Sequence, residues 1–353
     1  MNASSRPQTP EPRQIGVIGA GLSGLAAARQ LQEHGHRVHV FEKSRGVGGR
    51  MATRRQLETA FDHGAQYFTA RSPQFGDFVR SLLADNQIGV WPARGQKIVS
   101  FQDGNITEVS QDENRYVGVP GMNQLCKQLS QGLAVQREVR ILEIHPASGV
   151  WHLRGSDQQY GPFDAVLISA PSPQTAELIG QHSPLGILAA QCEMYPCWAA
   201  MVLLDEPLPV DWVGAFLNDS ILSWCSLDQT KPGRPSGSRL ILHANHQWSR
   251  ENLEQDANLV GEKMLQQFWQ ITQQPRIAHR QMLVHRWRYA IPESTHQDSD
   301  KGSPLWKTHC GWDEQQRLGF CGDWCSGGRV EGAFLSGQAL AEHVHRHFQQ
   351  PCC

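Results

Sequence analysis

The sequence has no basic excess. Its 32 Lys and Arg stand against 34 Asp and Glu, a formal net charge of −2 in 353 residues, with a pI near 6.8. The electrostatic footprint of a nucleic-acid or anionic-membrane binder is therefore missing. No window reaches the roughly 18 uninterrupted apolar residues that a membrane span requires. The opening MNASSRPQTPEPRQ lacks the apolar core of a secretory signal, so residues 1–13 read as a disordered leader. Beyond that leader there is no repeat or low-complexity block. The nine cysteines lack the framework of a small disulfide-stapled domain, which points to reduced thiols and a cytoplasmic location. Cys321 and Cys325 have no histidines at zinc-site spacing, so no metal is expected.

What is present suits a soluble α/β enzyme. Length, 39% hydrophobic content and 19% charge fit one large α/β domain with a smaller companion. QIGVIGAGLSGLAAARQLQEHGHRVHVFEKS reads as strand, glycine turn, helix and strand. Ile15, Val17 and Ile18 form the first strand; Leu22, Leu25, Ala26, Ala28 and Leu31 form the helix face. Gly35 ends the helix, and Val38, Val40 and Phe41 begin the second strand. In the turn, Gly19 permits the sharp bend, Gly21 lets a pyrophosphate approach the backbone, and Gly24 lets helix pack on strand; Leu22 and Ser23 complete the cofactor contacts. The phosphates would lie at a positive helix end. Glu42, followed by Lys43, closes the second strand where a carboxylate can accept from the hydroxyls of an adenosine ribose. These residues specify a dinucleotide site.

The next stretch, KSRGVGGRMATRR, places Arg45 and Arg50 at the ends of a Gly-rich loop, where guanidiniums can neutralise phosphate oxygens. Gly49 and Arg50 resemble the second glycine signature of the glutathione-reductase-like flavoproteins, in their amine-oxidase-like branch, and that resemblance implies FAD. LETAFDHGAQYFTARSPQF and GDWCSGGRVEGAFLSG, together with IGAGLSGL, FEKSRGVGGRM, REVRILEI, DAVLISAP and HRWRYA, resemble the renalases, in particular the bacterial form. The likeness runs from about residue 14 to about residue 345.

The resemblance implies a fold: an α/β, FAD-binding Rossmann-like domain with a second, sheet-based substrate domain, in the hydroxybenzoate-hydroxylase-like architecture. Residues 14–75, 105–172 and 306–353 would form the discontinuous FAD-binding domain, and 76–104 with 173–305 the substrate domain. FAD would be noncovalent. Asp323 would hold ribityl or phosphate hydroxyls, while Val330 and Gly332 open a helix whose positive end faces the flavin pyrimidine edge; the alternative is a plain amphipathic closing helix. Val139 would offer its backbone to the adenine, and Gln66 and Tyr67 would lie along the flavin. Asp62 and His63, as strand neighbours, point to opposite faces and read as structural.

Strand alternation in HRWRYA sends His285, Trp287 and Tyr289 to one face and Arg286 and Arg288 to the other. His285 and Trp287, with Tyr67 and His243, are the candidate substrate-pocket residues; as core groups they would be equally at home. NDSILSWCSLDQTKPGR is expected as a rim over the substrate. The family's activity implies oxidation of the 2- and 6-dihydro isomers of NAD(P)H, giving NAD(P)+ and hydrogen peroxide, with a small-molecule dinucleotide and dioxygen as partners. Such chemistry obliges no acid or base. An amine oxidase or desaturase of the same branch, and a non-catalytic flavin-binding protein, stay open, as does the oligomeric state.

Overall fold

Ile15 and Val17 are fully buried in the first strand, β1 (Gln14–Ile18), and Val40 in the second, β2 (Arg37–Glu42), which runs parallel to it. Continuous apolar runs of this kind belong to a sheet covered on both faces. The computed structural model describes residues 11–56, 59–293 and 308–350; residues 1–10 of the expected leader lie outside them. The first sheet runs Gly311–Asp313, Leu318–Phe320, Ala165–Ile168, β1, β2, Ala134–Arg137. Its pairs are parallel except for the hairpin of the first two. Segments far apart in sequence therefore converge on β1.

One face is covered by helix α1 (Leu22–Glu33) and the closing helix Val330–Gln349. They touch backbone to side-chain-free backbone: a Cβ on Gly337 would lie 2.1 Å from the Ser23 carbonyl oxygen. On the other face a three-stranded meander, Glu143–Ala147, Val150–Arg154 and Gln159–Phe163, packs Trp151, Leu153 and Phe163 against Phe41, Val166 and Ile168.

The second sheet has seven strands in the order His279–Pro292, Met194–Leu204, Ser238–Ala244, Leu222–Leu227, Gly214–Leu217, Ile98–Gln102, Asn105–Glu108. The helix Ala257–Thr272 lays Val260, Met264 and Phe268 over Ala200, Val202, Leu240 and Leu242.

Three expectations change. The boundary at residues 75 and 76 would cut the helix Pro73–Ala84, which instead stays whole because Phe75, Val79 and Leu82 share one core with α1 and Phe334. The boundary at 105 moves past 108, because Asp103 and Gly104, both with positive φ, turn Asn105–Glu108 back onto Ile98–Gln102. The expected rim is instead interior: Leu222–Leu227 is a central strand in which Leu222, Cys225 and Ser226 are fully buried.

Gly337→Ala is expected to destabilise the protein by about 1–3 kcal/mol through overpacking against α1. Gly76→Ala, where an added Cβ meets only the Arg80 side-chain tip at 3.4 Å, is expected to be neutral or stabilising by up to about 1 kcal/mol. Denaturant melts of the two variants check the contrast.

Candidate active site

The glycine turn has the close backbone packing and the one open position that a dinucleotide cradle requires. Gly19 has φ +106°, and a Cβ there would meet the Ser169 carbonyl oxygen at 2.7 Å; at Gly24 it would meet the Gly19 oxygen at 2.2 Å. At Gly21 it would meet nothing within 4 Å, so this position opens onto free space. Leu22 and Ser23 begin α1, whose first turn has neither a capping side chain nor an acidic residue. Its amide hydrogens are thus without a protein cap, and a pyrophosphate fits them. Glu42, 6% exposed, accepts from the Ala20 amide at 2.9 Å through one oxygen and the Ser44 amide at 2.8 Å through the other. It fixes the turn to the end of β2, with lone pairs left for ribose hydroxyls. Lys43 beside it is exposed.

The second glycine loop lies against the first. Gly48 donates to the Ala20 carbonyl at 2.9 Å, and a Cβ on Gly49 would be 3.5 Å from the Gly21 Cα. Val139 donates to the Glu42 carbonyl at 2.9 Å. It sits after the strand Ala134–Arg137, past a positive-φ Glu138, and not within a strand.

Arg50 joins the parts of the site. Its guanidinium forks onto Asp323, Nη1 to Oδ2 at 2.8 Å and Nη2 to Oδ1 at 2.5 Å, and Nη1 also donates to the Ala290 carbonyl at 3.1 Å. Arg50 and Asp323 therefore clamp each other across three segments. Gly332 lets the closing helix start close to the preceding turn, since a Cβ there would lie 2.0 Å from the Ser326 oxygen. Val330 is half-buried in the same turn. Next to it Glu331 accepts from the Ser72 amide at 2.6 Å and the Arg71 amide at 3.1 Å.

The backbone oxygen of Arg50 accepts from the Ala65 amide at 2.9 Å, which brings the strand end Asp62–Gly64 against the second glycine loop. There an aromatic wall stands. His63, His285 and Trp287 meet with ring centroids 4.9, 4.9 and 4.3 Å apart. The Trp287 indole donates to the His63 carbonyl at 2.9 Å, and His243 Nε2 lies 3.2 Å from that same oxygen. Burial first, then neighbouring positive charge, lowers His63 to about 3; burial likewise lowers His243 and His285 to about 4. The wall is uncharged at neutral pH.

A model of the flavin-containing amine oxidoreductases matches residues 99–345, and one of NAD(P)-binding Rossmann-like domains matches residues 17–82. The chain belongs to the flavin-containing amine oxidoreductase family. Its cofactor is FAD. Two solved structures share the fold over 96% of the chain. The first is the putative protoporphyrinogen oxidase from Exiguobacterium sp. 255-15, with TM-score 0.76, 13% identity and 99% of that chain covered. The second is cyclohexylamine oxidase from Brevibacterium oxydans IH-35A, with TM-score 0.72, 12% identity and 100% covered. Sequence relatives match over shorter stretches. Protoporphyrinogen oxidase 2, chloroplastic/mitochondrial, of Arabidopsis thaliana is 39% identical over 70 residues, 20% of this chain and 14% of its own length. A 4,4'-diapophytoene desaturase (4,4'-diaponeurosporene-forming) of Staphylococcus aureus (strain Newman) is 38% identical over 76 residues, 19% of this chain and 15% of its own length. The chain thus spans only a small part of these relatives.

Within this family member the four candidate pocket residues divide. His243, His285 and Trp287 share the wall around His63. Tyr67 belongs to another aromatic group, 5.7 Å from Trp224 and 6.4 Å from Trp91, with Arg115 over its ring. Gln66 has its amide engaged within the protein: Nε2 donates to the Asp62 and Gly64 carbonyls, and Oε1 accepts from Ser226 at 2.8 Å and Lys231 at 3.0 Å. Arg286 and Arg288 face away and both pair with Glu254 at 2.7 Å.

Sequence reasoning missed the ionic cluster beneath the wall. Asp62 accepts from Thr53 at 2.6 Å, the Met122 amide at 3.0 Å and the Arg234 guanidinium, with Lys231 Nζ at 3.9 Å; Lys231 also meets Asp228 at 2.8 Å. These four side chains are at most 1% exposed. Burial would raise the Asp62 carboxyl, but Lys231 and Arg234 hold it below the usual carboxylate range; burial pushes Asp228 up. As expected, Asp62 and His63 point to opposite faces.

His63 yields a signed pH prediction. Its folded pKa, about 3, lies below its ordinary 6.5, so the unfolded chain binds the proton first and the neutral ring costs stability as pH falls below 6.5. At pH 5 that cost is about 2 kcal/mol. Because His63 Nδ1 is buried without a partner among the described residues, and the bonds to His63 use its backbone oxygen, His63→Phe is expected to lose no side-chain hydrogen bond and to exceed the parent in stability at pH 5 by about 1–2 kcal/mol. Denaturant melts at pH 8 and pH 5 check this; a variant equally destabilised at both would contradict it.

Proposed function

We propose that this protein oxidises isomeric dihydro-NAD(P), the 2- and 6-dihydro forms, as a bacterial renalase does. The motif likeness suggests the substrate class, and the observation that supports it most is the uncharged aromatic wall beside the second glycine loop. A dihydronicotinamide is a neutral, flat hydride donor whose aromatisation drives the transfer. It needs positioning and exclusion of water more than it needs an acid or base.

The residues that would hold FAD are the turn Gly19–Gly24 at the pyrophosphate, Glu42 and Val139 at the adenosine, and the loop of Gly49 and Arg50 with Asp323 and the start of the closing helix toward the flavin. Noncovalently bound FAD would supply the hydride acceptor, with dioxygen as the final oxidant and hydrogen peroxide as product. The chain's own task is then to present an uncharged, partly buried aromatic surface. Trp287 is locked in orientation by its bond to the His63 carbonyl, His243 braces that same carbonyl, and His63 and His285 add ring surface without charge. No proton has to be moved by any of them. Among the described residues no helix is long and apolar enough to cross a membrane, and the described cysteines are free thiols, in keeping with a cytoplasmic repair enzyme.

Amine oxidation is the second reading, favoured by the family to which the chain belongs. A neutral amine would suit the same wall. Anaerobic stopped-flow absorbance of the yellow holoenzyme separates the two. We expect rapid bleaching by 2- or 6-dihydro-NADH, appearance of NAD+, return of colour with oxygen, and release of the colour to the supernatant on acid precipitation. Bleaching by an amine alone would overturn the substrate assignment.

A further inference from the structure

One arginine side chain near the wall has no partner among the described residues. Thr53–Gln56 pairs antiparallel with Thr59–Asp62, Thr53 opposite Asp62 and Arg54 opposite Phe61. Thr53 bonds the Asp62 carboxylate, so its side chain lies on the face of the ionic cluster. Alternation turns Arg54 to the other face with Phe61. Phe61 packs against Met201, Ile241 and Leu283, and Leu283 heads the alternating row that continues through His285 and Trp287. Arg54 is half-buried there. Its positive charge is one of the causes that lower both His63 and His285, which sets it within electrostatic reach of the wall.

Four other arginines around the site are committed: Arg50 to Asp323, Arg234 to Asp62, Arg286 and Arg288 to Glu254. The Arg54 guanidinium makes no hydrogen bond or ion pair among the described residues. A guanidinium kept half out of water within electrostatic reach of two imidazoles, His63 and His285, with no carboxylate paired to it among the described residues, raises the local positive potential and suits an anionic ligand. Its planar fork matches a phosphate.

We propose that Arg54 is the anion anchor of the substrate site, holding a phosphate of the dinucleotide while the dihydronicotinamide lies against His63, His285 and Trp287. The identity of the anion rests on the dihydro-NAD(P) reading; the anchor itself rests on a guanidinium that is half-buried on the face of the wall and unpaired among the described residues. Arg54 would act on affinity and orientation and leave the hydride step itself alone.

The test uses holoenzyme of the parent, Arg54→Gln and Arg54→Lys. Binding of ADP and of inorganic pyrophosphate is read from flavin absorbance and tryptophan fluorescence, without turnover. Anaerobic reduction is followed with 6-dihydro-NADH and with phosphate-free 6-dihydronicotinamide riboside. We expect Arg54→Gln to keep its FAD content and to bind ADP and pyrophosphate about 10- to 100-fold more weakly. The half-saturating dinucleotide concentration should rise by a similar factor at unchanged limiting rate, with the riboside unaffected. Arg54→Lys should recover part of the loss. Equal weakening toward riboside and dinucleotide, loss of FAD, or unchanged anion binding would overturn the anchor. If neither dihydro compound reduces the parent, the substrate reading fails, and the anchor is then judged on ADP and pyrophosphate alone: binding lost in Arg54→Gln upholds it, and no binding to the parent overturns it.

Discussion

The buried carboxylate of Asp62 is the constraint on which the rest of the site depends. It ties the strand that ends in His63 to Thr53 on the neighbouring strand, to the Met122 amide before the helix Gln124–Ser130, and to Arg234 beyond the central strands of the second sheet. Such charges are costly to bury and tolerable only when each finds close partners. Here two acids and two bases share one enclosure, and Gln66 links it to the site by accepting from Lys231 while donating to the carbonyls of Asp62 and Gly64. The ionic cluster below and the aromatic wall above are opposite faces of a single strand end. One therefore holds the other in place.

From that junction the charges are sorted by position. Cations beneath the strand are neutralised by Asp62 and Asp228, Arg50 is neutralised by Asp323, and the histidines facing the wall are kept neutral by burial. A surface of this kind can receive a neutral ring and can release it as a charged, aromatic product. The fold alone does not dictate that use, since related scaffolds serve many reactions.

The nucleotide half was largely legible because its signals are local. The turn between β1 and α1 needs glycine at fixed offsets for reasons of backbone approach, and Glu42 follows at the length of one βαβ unit. Alternation in HRWRYA also placed His285, Trp287 and the two arginines on their proper sides, because a strand's period is independent of what packs on it. The ionic cluster was illegible for the converse reason. Lys231 and Arg234 lie in a stretch rich in proline and glycine that reads as surface loop, and their burial depends on Asp62, 172 residues from Arg234. The boundary at 105 is overruled by the Asp103-Gly104 hairpin, a local signal, whereas the helix Pro73–Ala84 packs in one core with the closing helix through contacts that its own sequence does not display.

The central claim is that an uncharged wall positions a substrate already able to give up hydride, with no acid or base in the step. The pH dependence of the limiting rate of anaerobic flavin reduction by 6-dihydro-NADH tests it most directly. With His63, His243 and His285 titrating at about 3, 4 and 4, the account predicts a rate that is flat from about pH 5.5 to 9. A rate that rises or falls about tenfold per pH unit within that range would reveal an obligatory ionisation and contradict it.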